Sequence, residues 1–294
     1  MRIVSLCPSN TDLILALGKE ELLVGVDRWS LKDPALSQRL SRKERPAADV
    51  GTDLAIDMDV IVSLRPDLVL ASLSVPGMEA NIEALERHKL PYIIVDGHTL
   101  AGVRRAILQV AQALNCQERG QTLLALFDAR IDAVRANVSA ACQERPAAKK
   151  PRVVWEWWPN PIIVAGKNSW IADLFEILQV ENVFADLEKE SAPVEAREVA
   201  RRAPDVICAS WCGTLEPRMT AYKIAGRPGW NQVPAVRNRQ IFLLPEKLFG
   251  RPGPRLATGL EELYELLYGD RDGSARRMAK AARLSPAALQ FPQV

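Results

Sequence analysis

QERGQTLLALFDARIDAVRANVSAACQER, running from Gln117 to Arg145, decides how the rest of this chain is read. Leu123, Phe127, Ile131, Val134, Val138 and Cys142 recur at spacings of three and four, which draws one narrow apolar stripe along a single helix. Asp128, Arg130, Asp132, Arg135 and Ser139 take the opposite side. At about 1.5 Å per residue such a helix is roughly 40 Å long, more than the width of a small domain. Pro146 and Pro151 close it. The stretch therefore reads as a stiff spacer between two similar lobes, with the function placed between them.

Outward from this helix, short apolar runs alternate with capped, apolar-periodic segments. On the N-terminal side, Arg2 to Cys7 reads as a strand. Ser9 with Asp12 three residues on opens a helix that stops at Gly18. Leu22 to Val26 is the next strand, left through Asp27 to Ser30 as a loop, and the polar, Pro-punctuated stretch from Leu31 to Gly51 is expected to be irregular. A helix over 57–64, a strand over 68–72, a loop over 73–77, a helix over 78–88, a strand over 92–95 and a helix over 100–114 complete this half. After the long helix the grammar returns, with strands over 152–157, 206–210 and 240–244 and helices over 170–178, 194–202 and 254–268. Arg65-Pro66-Asp67-Leu68 before one strand and Ala203-Pro204-Asp205-Val206 before another mark an internal repeat. The expected class is α/β: mainly parallel sheets covered by helices, in lobes 1–114 and 147–269 joined by the helix of 115–146, with a tail at 270–294.

Composition narrows the function. Among 294 residues, 38 basic side chains against 36 acidic ones leave a formal charge of +2, so no overall field draws in nucleic acid or an anionic membrane. No apolar run approaches the length of a membrane span, and the chain reads as a monomer. Met1 runs directly into the first strand, without a charged n-region or cleavage site, and the five cysteines are odd in number and scattered, which fits a reducing compartment. On these grounds the chain as given reads as cytoplasmic.

Catalytic patterns are missing: there is no Gly-x-Gly-x-x-Gly after a strand and no Gly-x-Ser-x-Gly elbow. His88 lies at a helix end, His98 after a strand end, and Cys208 and Cys212 fall on a strand and its loop, so neither a metal site nor an enzyme cofactor is expected. The seven tryptophans are the unusual feature. Trp29, Trp157, Trp158 and Trp211 fall at carboxyl ends of strands, where open α/β sheets bind ligands. With Ser30 beside Trp29 and Ser72 at a further strand end, they would line an aromatic cleft for a large, flat or apolar ligand. The Gly- and Pro-rich stretch Leu248 to Leu256 presents Phe249 and Arg251 beside them. Glu79 and Glu216 open helices at equivalent places in the two halves, a two-point acidic contact for a pseudo-symmetric partner.

Ser5-Leu-Cys-Pro-Ser-Asn-Thr-Asp12, Leu17-Gly18, Val24-Gly25-Val26, Arg65-Pro66-Asp67, Glu79 and Arg251-Pro-Gly-Pro-Arg255, in this order, resemble the substrate-binding proteins of ABC importers for cobalamin and iron chelates, the cobalamin branch most of all. The resemblance implies two Rossmann-like lobes joined by one long helix, with limited hinge motion and a ligand cleft between them. The ligand would be a corrinoid, an iron siderophore or haem, bound without catalysis. Glu79 and Glu216 would dock on an ABC permease, in a periplasmic or extracytoplasmic setting. The rival expectation is an intracellular enzyme or chaperone that handles such a ligand on the same fold. The exceptionally aromatic Trp155-Glu-Trp-Trp-Pro-Asn-Pro161 leaves the identity of the chelate open.

Overall fold

The computed structural model describes residues 1–41, 46–75, 77–144, 149–213 and 219–269. The chain divides into two compact units, Met1–Phe127 and Asp128 onward, and the division falls inside the long helix. That helix spans Gln117–Glu144, 28 residues, and Leu123, Phe127, Ile131, Val134 and Val138 of its stripe are all buried. Arg119 fastens its first half by donating to the carbonyls of Leu17 and Gly18, at 3.2 and 2.9 Å. In the second half Arg130 forms a two-pronged pair with Glu261, at 2.7 and 2.6 Å, and donates to Thr258 Oγ1.

The first unit is built on strands β1 (Ile3–Ser5), β2 (Leu23–Val26), β3 (Ala48–Asp49), β6 (Leu68–Ala71) and β7 (Tyr92–Ile94), all parallel in the order β3-β2-β1-β6-β7; β4 (Gly51–Thr52) and β5 (Ala55–Ile56) form a separate small hairpin. In the second unit β8 (Arg152–Pro159), β12 (Val206–Ala209) and β13 (Ile241–Leu243) run parallel, as does β10 (Glu181–Asn182) against β8. Here β9 (Ile162–Ala165) and β11 (Ser191–Val194) add an antiparallel edge. The central parallel strands β6 and β12 are apolar runs buried along their whole length, as helix-covered sheets require. The antiparallel edge has no such signature: Ser191–Val194 alternates with a proline in it, and β9 follows a Pro-Asn-Pro turn that reads as loop.

Two local expectations are corrected. The segment after β2 is helical, Arg28–Lys32 and then Pro34–Leu40, because Asp27 accepts from the Ser30 N–H and Asp33 from the N–H groups of Ala35 and Leu36, with Pro34 in the first turn. The first helix begins at Pro8, and Ser9 lies inside it, against the Cys7 sulfur at 3.2 Å, rather than capping it.

The repeat is physical. Arg65 and Ala203 both take left-handed backbone, φ 46° and 44°. Asp67 and Asp205 then each accept from a backbone N–H at the start of the neighbouring strand, Arg2 at 2.6 Å and Arg152 at 3.0 Å. Each returns its own N–H to that same residue's carbonyl, at 2.8 and 2.7 Å. The side chain of Arg2 reaches the Leu64 carbonyl and that of Arg152 the Arg202 carbonyl, closing the helix that precedes each strand.

Candidate functional site

In the first unit the carboxyl ends of the parallel strands open onto a polar floor. Ser30, which the sequence assigns to the ligand surface, is fully buried: its hydroxyl donates to Asp27 and bonds Thr11 Oγ1 at 2.9 Å, and Thr11 passes the chain to Ser5 at 2.8 Å. Asp27 is buried with them, its carboxylate held by the Ser30 N–H and hydroxyl, as a buried charge demands. One residue back along the same short helix, the side chain turns outward. Trp29 is 38% exposed, its Nε1–H donates to Asp53 at 3.1 Å, and the Lys32 ammonium sits 5.0 Å from its ring centroid. Asp53 is in turn fixed by Asn81, whose side chain donates to the Asp53 carbonyl at 2.6 Å. Leu54 and Val75, 50% and 38% exposed, extend this apolar surface, and Leu54 lies against Gly77. Neither residue stands out in the sequence; the only signal is a leucine inside a Gly-Thr-Asp turn. Ser72 is nearly buried at the end of β6, where its hydroxyl meets Ser74 and accepts the Ser74 N–H.

The second unit places its aromatics differently. Trp157 points into an aromatic cluster with Trp155 and Trp170, at centroid distances of 5.3 and 5.5 Å. Phe249 is fully buried in the same cluster, 4.9 Å from Trp155, and its carbonyl accepts from Trp170 Nε1 at 2.7 Å. Trp211 is buried in a separate core with Val154 and Ile207 and donates to Glu156 at 2.9 Å. Glu156, itself 1% exposed, also receives both prongs of Arg227 at 2.6 and 2.7 Å, while the Arg227 guanidinium lies 4.5 Å over Trp230. Trp158 is the tryptophan of this unit that reaches solvent, 39% exposed, with its Nε1–H tied to the Asn160 carbonyl at 3.1 Å. Arg251 is half-buried.

Alternation along β8 explains the difference between adjacent tryptophans, since Trp155 and Trp157 share the inward face and Trp158, past the irregularity in the pairing with β9, falls on the other. Burial with internal hydrogen bonds accounts for Ser30, Trp157, Trp211 and Phe249 structurally. Trp29 and Trp158 remain as open rings.

Glu79 is exposed at the first position of the Glu79–Arg87 helix, where its carboxylate accepts from the Gly77 N–H at 2.7 Å. Glu216 lies outside the described residues. His98 is turned toward Asp96, 3.6 Å from its carboxylate. Burial pushes the Cys208 thiol up to about 12, which leaves it protonated at neutral pH, and no metal-holding group of side chains occurs among the described residues. None of the five cysteines forms a disulfide. No helix among the described residues is long and apolar enough to cross a membrane.

Each of the two α/β lobes carries one exposed indole with its N–H hydrogen-bonded inside that lobe, Trp29 in the first and Trp158 in the second. The chain belongs to the periplasmic binding protein family, whose pattern matches residues 3–248. It is 29% identical to a vitamin B12-binding protein of Vibrio campbellii over 90% of this chain and 88% of that one. It is 25% identical to an ABC transporter substrate-binding lipoprotein, YvrC, of Bacillus subtilis strain 168, over 92% and 80%. Among solved structures, the periplasmic heme-binding protein RhuT of Roseiflexus sp. RS-1 superposes with a TM-score of 0.72 at 27% identity, covering 96% of this chain and 99% of that one. The chain is accordingly a non-enzymatic substrate-binding protein of the ABC-transporter type.

Proposed function

We propose that the chain captures a corrinoid, or a flat metal chelate of similar size such as haem, and delivers it to an ABC permease. The observation that carries this reading is the matched pair of exposed indoles, Trp29 in one lobe and Trp158 in the other. Each has its N–H already bonded within its own lobe, so what it offers a ligand is ring face and not a hydrogen bond. A ring face of this kind suits a broad conjugated or apolar plate. The vitamin B12-binding relative supports the corrinoid, and the heme-binding fold neighbour supports the porphyrin as the second reading. Glu79, exposed and held at a helix start, is the permease-facing carboxylate on the first lobe, and Glu216 is its counterpart on the second. The ligand acts on a monomer.

Calorimetric titration with cyanocobalamin, with haemin and a ferric hydroxamate run in parallel, tests the reading. The expected result is a single site of micromolar or tighter affinity for one of the three. No heat and no tryptophan quenching with any of them at tens of micromolar removes it.

A further inference from the structure

Lys32 stands out among the charged groups around Trp29. Arg28, on the same short helix, is engaged with Asp49 at 2.9 Å, and Asp53 accepts the indole N–H. Lys32 is exposed, lies 5.0 Å from the centroid of the indole, and forms no ion pair within 4 Å among the described residues, its charge reaching Asp49 only from farther off. An ammonium held over an aromatic face keeps only part of its attraction there, on the order of 0.5–1 kcal/mol at an exposed site. Its capacity for charge-assisted hydrogen bonds, three N–H groups, remains open. The exposed indole and the ammonium over it thus present an apolar ring and a cation at one place on the surface.

We propose that Lys32 is a specificity-determining residue that pairs with an anionic group on the edge of the ligand, so that the preferred substrate class is a flat chelate bearing a carboxylate or phosphate arm rather than a neutral one. This rests on the reading that Trp29 meets the ligand. The geometry gives the division of labour: the indole fixes the plate, and the lysine, one helical turn along, reads the charge at its rim. A carboxylate arm is the porphyrin's and a phosphodiester arm the nucleotide-bearing corrinoid's, and the two share the same contact.

Two probe pairs separate these sources: haemin against its dimethyl ester, and cyanocobalamin against dicyanocobinamide, which lacks the phosphodiester. Each is titrated into the full chain and into Lys32→Gln and Lys32→Arg, with circular dichroism to confirm folding. The expected result is that the wild type prefers the anionic member of the pair it binds by about tenfold. Lys32→Gln should abolish that preference by weakening the anionic probe alone, and Lys32→Arg should restore it. Equal binding of both members, or a preference that survives Lys32→Gln, overturns the inference while leaving the binding function intact. Failure of the wild type to bind any of the four probes overturns both. Loss of the preference at high salt is a further expected outcome for an exposed contact of this kind, and salt-independence contradicts it.

Discussion

The two lobes begin alike and end differently. At the amino ends of their central strands, Asp67 and Asp205 make the same hydrogen bonds to Arg2 and Arg152, with the same left-handed residue two positions earlier. At the carboxyl ends, the first lobe carries a string of small polar side chains, Ser5, Thr11, Asp27 and Ser30, and the second carries Trp155, Trp157, Phe249 and the Glu156–Arg227 pair. What is shared keeps the fold, since it joins strand to strand beneath each sheet. What diverges lies at the opposite ends of the strands, where each lobe leaves one indole exposed and ties its N–H by its own chemistry.

The largest expected effect separates the two supports. Glu156→Ala strands a guanidinium that is 11% exposed, and should cost about 3–5 kcal/mol in urea unfolding. Asp27→Ala, whose observed donors are a hydroxyl and an amide N–H, should cost about 1–3 kcal/mol. Equal costs would mean that the lobes are supported in the same way after all. Next come the exposed rings: Trp29→Ala and Trp158→Ala should each weaken ligand binding roughly thirtyfold, about 2 kcal/mol, while changing stability by about 0.5 kcal/mol. A stability loss as large as that of a core tryptophan would place the ring inside its lobe. At the shared base, Asp67→Ala and Asp205→Ala should each cost about 1 kcal/mol, and a clear inequality would break the equivalence of the repeat.

A further difference is in pH. Burial lifts the thiols of Cys7, in the first lobe, and Cys208, in the second, from 9.0 to about 11 and about 12. The folded chain therefore keeps protons that the unfolded chain releases. The stabilisation is full below about pH 9 and fades as pH rises from there through about 11 for Cys7 and about 12 for Cys208. Thermal melts from pH 7 to 11 should show a progressive loss that Cys7→Ser diminishes; a stability that rises over this range contradicts the burial of the thiols.

Much of this was legible in the sequence because it is periodic or repeated. The three-four stripe from Leu123 to Val138 named the buried face of the long helix, and the Pro-Asp pairs at 66–67 and 204–205 named the repeat. The tryptophans were legible as a group and not one by one. Trp157 and Trp158 are neighbours in sequence, and only the sheet register sends one inward and leaves the other out. Trp211 is drawn into the core by Glu156, a residue 55 positions away, which no local pattern reports. Ser30 reads as loop because its helix is five residues long and carries its cap, Asp27, directly after a strand. Leu54 and Val75 reach the surface through turns whose tertiary placement alone gives them a role.

The structure of the chain crystallised with cyanocobalamin, or with haemin if that is the ligand bound in solution, tests the central claim most directly. The account predicts a ligand whose flat face lies within about 4 Å of an exposed indole, Trp29 or Trp158, the van der Waals distance of stacked or edge-on aromatic contact. A ligand bound elsewhere, touching neither indole, would contradict it.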